Sequence, residues 1–179
     1  GLLPYPITFL VTDLISECFG KKKANLVVMS GLFASLFVLI IVTVGQAVPA
    51  ASWSPVSDME FDHVFGSTVV AVGSSMAAYL IAQFLDVKLF HYWKAKTHGK
   101  KLWLRNNLST IPSQFIDTLT VISLMCFLGQ IEWALFSHLL FYGFFFKILV
   151  ALIDTPLVYL GSWLIRRPFG LKLGEEISF

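Results

Sequence analysis

Apolar residues gather in five long blocks, at roughly 3–19, 25–47, 64–86, 107–128 and 134–165. A helix needs about 20 such residues to cross a bilayer, so the pattern predicts an all-α polytopic transmembrane helix bundle with five spans. The first block is the weakest, because Thr8, Thr12, Asp13, Ser16 and Glu17 interrupt it. Only a helix packed inside a bundle tolerates that. The fourth block is the most informative. It opens as Arg105-Asn106-Asn107-Leu108-Ser109-Thr110-Ile111-Pro112-Ser113-Gln114-Phe115-Ile116-Asp117-Thr118, and Asn106, Thr110, Ser113 and Asp117 follow the spacing 0, 4, 7, 11 of one helix face. Asn107 and Gln114 widen this stripe. Polar groups at membrane depth are expensive and face a bundle interior or a watery cavity. The stripe is therefore expected to be one wall of a binding site.

Composition agrees with the blocks. Of 179 residues, 56% are hydrophobic and 13% charged, with a mean hydropathy of +0.76. A soluble domain carries roughly 25% charged residues, so this is an integral membrane protein, read as a single transmembrane domain over residues 1–179. Cys18 and Cys126 lie in apolar blocks and make no disulfide framework. No zinc-type Cys/His spacing occurs, and no cofactor is expected. The first residue is Gly, so a missing or removed segment is expected before it, and the N-terminal stretch lacks the basic start and cleavage site of a signal peptide.

The net charge of +2 matters less than its placement. Lys21, Lys22 and Lys23 follow the first block; Lys88, Lys94, Lys96, Lys100, Lys101 and Arg105 separate the third from the fourth; Arg166, Arg167 and Lys172 follow the fifth. The connections at 48–63 and 129–133 hold no Lys or Arg. By the positive-inside rule the chain starts outside and its C-terminus is cytoplasmic. The outer 48–63 stretch reads as an ordered turn or short lid. The inner 86–106 stretch interleaves aromatics with cations, which suits the interface with an anionic leaflet better than it suits a nucleic acid. Small residues at Gly31, Ala34, Ser35, Gly73 and Ala77 favour close helix contact and would also suit a homodimer.

Charged groups reach middle depth on three blocks: Asp13, Asp117, and Lys147 with Asp154 seven residues on. One base cannot neutralise three carboxylates. Pro112 and Pro156 each remove a helix hydrogen bond and predict broken helices around a midplane site, a transporter pattern. Glu17 and Lys21, four apart, are expected to pair near the inner surface. Carboxylate and amide side chains suit a guanine-like edge, with Phe9, Phe115, Phe141, Tyr142 or Phe145 available to stack on a flat ring.

Thr12-Asp13-Leu14 with Glu17, the run from Asp86 to Lys94, Leu102-Trp103-Leu104-Arg105-Asn106-Asn107, Ser109-Thr110, Ser113-Gln114, Asp117-Thr118, Lys147 and Asp154-Thr155-Pro156 together resemble the queuosine precursor transporter family, part of the vitamin-uptake-transporter group. The resemblance implies a six-helix bacterial inner-membrane importer of 7-deazaguanines such as preQ0, preQ1 or queuine. It also implies an architecture similar to the substrate-binding subunits of energy-coupling-factor importers, with the family's first helix lying before Gly1. Asn106, Asn107, Thr110, Gln114 and Asp117 are then the expected substrate contacts. Asp13, Glu17, Lys147 and Asp154 form a second wall or couple transport to an ion. The expected partners are a deazaguanine and the lipid bilayer, with no direct nucleic-acid contact. The alternatives are a substrate-binding subunit of an ATP-driven vitamin-type importer, an intramembrane aspartyl protease, for which no Gly-x-Gly-Asp motif is present, and a structural protein.

Overall fold

The computed structural model describes residues 5–66, 68–172 and 174–177. Residues 3 and 4 of the first predicted span, and the proposed segment before Gly1, lie outside them. Helix α1 runs Tyr5–Ala47, α2 Asp58–Phe65, α3 Thr68–Lys96, α4 Leu102–Phe127 and α5 Phe136–Arg166, with 3-10 turns at Trp133–Leu135 and Arg167–Phe169. Among the described residues, four stretches are long and apolar enough to cross a membrane: Ile7–Ala47, Asp58–Lys96, Leu102–Phe127 and Trp133–Phe169. A helical membrane bundle is what the apolar blocks predict, but four continuous stretches replace five spans because the first two blocks join.

The join is a fold-back. Gly20 interrupts α1 with φ 82° and ψ 175°, a region that glycine alone occupies readily. A straight 43-residue helix would be about 65 Å long. Instead Ile15 packs against the cluster of Ala24, Val28 and Val87, and Thr8 lines the same groove as Gly31 and Ser35. α1 is thus two arms, residues 5–19 and 21–47, lying side by side.

The first arm, α3, α4 and α5 close a ring. α3 packs along α4, α4 along α5, and α1 against both α3 and α5. The second arm of α1 lies outside, its Phe33, Phe37, Ile40 and Ile41 more than half exposed, an apolar surface for lipid tails.

α4 is inverted relative to a soluble helix. Its buried positions are Leu102, Arg105, Asn106, Ser109, Thr110, Ser113, Gln114, Asp117, Thr118, Ile122 and Cys126, while Leu108 and Phe115 face out. Polar residues point inward because the surrounding lipid cannot solvate them.

Three local expectations are corrected. Pro112 and Pro156 break nothing: α4 and α5 run through them. Both prolines, and the Leu108 and Leu152 whose carbonyls they leave free, lie on outward faces, so each helix bypasses the ring without disturbing the core. The inner 86–106 stretch is mostly α3, which continues to Lys96 and leaves a short turn from Thr97 to Lys101. The outer 48–63 stretch carries α2, whose start is a capping box: Glu60 N–H donates to Ser57 Oγ, and Ser57 N–H donates to Glu60 Oε2 at 2.8 Å. That backbone hydrogen bond, with the Ser57 hydroxyl, holds the Glu60 carboxyl below its usual range.

The Gly20 turn is filled from elsewhere. A Cβ there would stand 2.4 Å from Glu176 Oε2. Gly20→Ala should lower stability by about 1–3 kcal/mol through backbone strain alone. Adding Glu176→Ala should recover only the part due to contact. Thermal unfolding in detergent measures both, and a Gly20→Ala protein as stable as the parent would refute the fold-back.

Candidate functional site

The ring interior is layered, starting at the basic end. There Glu17, on the last turn before the Gly20 break, is fully buried and meets a cation from every other ring helix. Its Oε2 pairs with Arg105 of α4 and lies 4.0 Å from Lys94 of α3; its Oε1 accepts from Arg166 Nη1 of α5 at 2.7 Å. The break frees backbone carbonyls, and these are claimed too. Glu17 O accepts from Arg166 Nη2 at 2.6 Å and Lys94 Nζ at 3.2 Å, and Cys18 O accepts from Ile177 N–H at 2.7 Å. The chain after α5 therefore docks across the end of the ring: Gly174 N–H donates to Glu17 Oε1 at 3.0 Å, and Glu176 Oε1 accepts from Lys94 at 2.8 Å. Arg105 Nη1 also donates to Gly99 O at 2.7 Å, holding the α3–α4 turn. Glu17 pairs with these three cations, not with Lys21, which is exposed.

In the middle of the ring Lys147 of α5 forms a buried ion pair with Asp117 of α4. Lys147 and Asp154 do share a face, but the lysine is committed to Asp117. Thr110, Gln114, Lys147, Val150, Ala151 and Asp154 enclose a void of about 10 Å³, about one water in size.

Between these ionic layers lies the least satisfied part of the molecule. Asp13 and Asp86 are neighbours, 2% and 0% exposed, and Thr110 Oγ1 donates to Asp13 Oδ2 at 3.2 Å. Among the carboxylate and amide atoms of this interior, six acceptor oxygens have no hydrogen-bond partner within the described residues: Asp13 Oδ1, Asp86 Oδ1 and Oδ2, Gln83 Oε1, Asn106 Oδ1 and Gln114 Oε1. Gln83 Nε2 is in the same position. Each such atom costs about 1–3 kcal/mol, and native proteins keep very few without a reason. Such oxygens can accept hydrogen bonds from a donor-rich guest.

Of the expected contacts, Asn106, Thr110, Gln114 and Asp117 do share the inward face, and Asp13 faces them. Asn107 is half-buried and turns its Nδ2 to Thr155 Oγ1 of α5 at 2.9 Å. Asp154 is half-buried beside the void, and Glu17 belongs to the ionic layer at the basic end. The aromatic candidates separate sharply. Phe9 is 1% exposed, whereas Phe115, Phe141, Tyr142 and Phe145 face outward.

Gln83 and Asp86 are the residues that sequence reasoning missed. They stand three apart at the inner end of the third apolar block, beside the cationic run, where Asp86 reads as the first residue of a loop. The pairing of an amide and a carboxylate on one helix face was the available signal.

The chain belongs to the family described as "Putative vitamin uptake transporter", which it matches over residues 1–161. It is 29% identical over 160 residues to a Bacillus subtilis (strain 168) protein named "Probable queuosine precursor transporter", covering 89% of this chain and 69% of that protein. A Haemophilus influenzae protein of the same name is 27% identical over 160 residues, covering 86% of this chain and 63% of that protein. The chain thus spans about two thirds of the length of these relatives. No solved structure matches it significantly.

Removing one member of a buried ion cluster strands the others, at a cost of about 3–5 kcal/mol. Glu17→Gln should therefore destabilise the protein by that amount and free residues 174–177 from the ring. Limited proteolysis near the C-terminus, read beside thermal unfolding, checks both effects; unchanged protection would refute the clamp.

Proposed function

We propose that the protein imports 7-deazaguanine precursors of queuosine, such as preQ0, preQ1 or queuine, across the bacterial inner membrane for tRNA modification. The observation that carries this reading is the set of buried amide oxygens of Gln83, Asn106 and Gln114, which have no hydrogen-bond partner among the described residues. A 7-deazaguanine is flat and presents N–H donors along its edges: the ring N1–H, the exocyclic amine and the pyrrole N–H. The names of the two relatives point to the same substrate class.

Gln83, Asn106 and Gln114 supply the amides in this reading, and Thr110 and Asp117 complete the wall. Phe9 is the buried ring nearest in sequence to Asp13 and suits stacking. A bicyclic ligand needs more room than the interior void, so the ring opens to admit it. The groove of about 390 Å³ lined by Thr8, Gly31, Ser35, Ser75, Met76 and Tyr79 is a suitable route. Tyr79 lies one turn before Gln83, and Thr8 one turn before Thr12. The first arm of α1, turning at Gly20, is the natural moving part.

A thermal-shift panel of guanine, preQ0, preQ1, queuine and adenine on the purified protein tests the substrate. Deazaguanines should stabilise it and adenine should not. Gln83→Leu should weaken their binding roughly ten- to hundredfold, the worth of one lost buried hydrogen bond at about 1–3 kcal/mol. No stabilisation by any of the five would end this reading. Uptake into proteoliposomes without an ATPase separates a self-sufficient carrier from the substrate-binding subunit of an ATP-driven importer.

The same reading puts the basic end and the C-terminus in the cytoplasm. Ala51→Cys should be labelled from outside intact cells and Lys96→Cys only after lysis. The native Cys18 and Cys126 are buried and will not interfere. Labelling of both introduced cysteines from outside would reverse the orientation.

A further inference from the structure

The carboxylates of Asp13 and Asp86 are adjacent, yet nothing nearby balances their charge. Asp86 is fully buried, and no base forms an ion pair with it among the described residues. Ser109, Thr110 and Ser113 bring hydroxyl oxygens beside it. Each hydroxyl also has another acceptor: Ser109 Oγ donates to Asn106 O at 3.0 Å, Ser113 Oγ to Ser109 O at 2.7 Å, and Thr110 Oγ1 to Asp13 Oδ2 at 3.2 Å. Hydroxyls direct a dipole at a carboxylate but bring no positive charge to balance it. Gln83, 0% exposed and one turn earlier on the same buried face, adds an unpartnered amide oxygen.

The charged groups on every packing element leave this pair uncompensated. On α1, Glu17 takes up Arg105 of α4 and Arg166 of α5, and Lys94 of α3 is shared between Glu17 and Glu176. Lys147 of α5 is held by Asp117 of α4. Asp154 of α5 adds further negative charge. A carboxylate pair inside an oxygen cage, in a medium too poor in water to screen it, requires a cation between its members.

We propose that Asp13 and Asp86 together hold one monovalent cation, a proton or an alkali metal ion, whose binding is coupled to that of the substrate. The substrate half of this statement rests on the function proposed above; the cation half does not. A cation on the pair removes the repulsion that pushes the first arm of α1 away from α3 and α4, so it favours the ring closing over the ligand once the ligand has entered. Such linkage is reciprocal.

Affinity for the neutral 7-cyano deazaguanine is the test, because an aminomethyl ligand would bring its own positive charge to the pair. It is measured on the full chain in detergent, with protons and sodium varied separately, alongside ligand-free thermal stability. Coupling of ordinary strength predicts affinity rising roughly 5- to 150-fold as the active cation saturates. The ligand-free melting temperature should rise with the same cation, since it binds the folded state. A response to acid alone identifies a proton, and a response to sodium alone identifies the metal ion. Asp13→Asn combined with Asp86→Asn should abolish both responses. If that double variant does not fold, Asp86→Asn alone should shrink them. Wild-type affinity and stability indifferent to both cations would overturn the proposal, and so would responses that persist in the double variant. If no deazaguanine binds but ligand-free stability follows the cation through Asp13 and Asp86, the site stands and the substrate assignment falls.

Discussion

The ring depends on the fully buried carboxylate of Glu17. A helix that ends inside a membrane protein exposes backbone carbonyls that lipid cannot satisfy. At Gly20 those carbonyls would be a liability, and Arg166, Lys94 and Ile177 N–H meet them. Bringing two arginines and a lysine to one place then demands an anion, and Glu17 provides it one residue before the freed Cys18 carbonyl. Break, carboxylate and cations are thus one device, and none is stable without the others. Desolvating so many charges is costly, so the cluster adds little net stability over an apolar equivalent. Its gain is specificity: it fixes the end of α1, the register of α4 against α5, and the path of the chain after Arg167.

The same logic separates what the sequence disclosed from what it hid. The inward face of α4 was legible because polar residues recur at helical spacing through an apolar block, and only one side of a helix satisfies that pattern. Lys147 and Asp154 were legible for the same reason. Arg105, Arg166 and Lys94 were not. Basic residues beside a span read as topology signals, and nothing in their spacing shows that three of them turn back to a glutamate on another helix. Asp86 was hidden by the same charge run, which suggested a loop where α3 continues for another ten residues. The prolines misled in the opposite direction. Their effect depends on which face they occupy, and here the freed carbonyls point away from the ring.

The fold-back of α1 was half legible. Two apolar blocks with three lysines between them predicted two spans, and Gly20 stood beside those lysines. Helical character carries through the turn to both sides, so the arms form one continuous stretch by hydropathy. Only tertiary placement, Thr8 lining one groove with Gly31 and Ser35, reveals the reversal. The first arm is polar because both of its long sides are covered: α3 and α5 flank it, and Asp13 and Glu17 face α4.

Charge along the ring axis therefore alternates. Among the described residues the basic end holds more cations than anions, the next turn holds two carboxylates with no base paired to them, and the middle holds one balanced pair. A balanced pair can lock helices together but offers a neutral ligand little. The acceptor-rich turn is the opposite: it destabilises the empty ring and is relieved by whatever brings donors or positive charge. Placing that turn within about two helical turns of the Gly20 hinge gives it leverage, because the first arm of α1 carries Asp13 and its ionic anchor among the described residues is Glu17. On the proposed cation site, repulsion between Asp13 and Asp86 would favour opening at the hinge and its neutralisation closing, with the Glu17 cluster as the pivot.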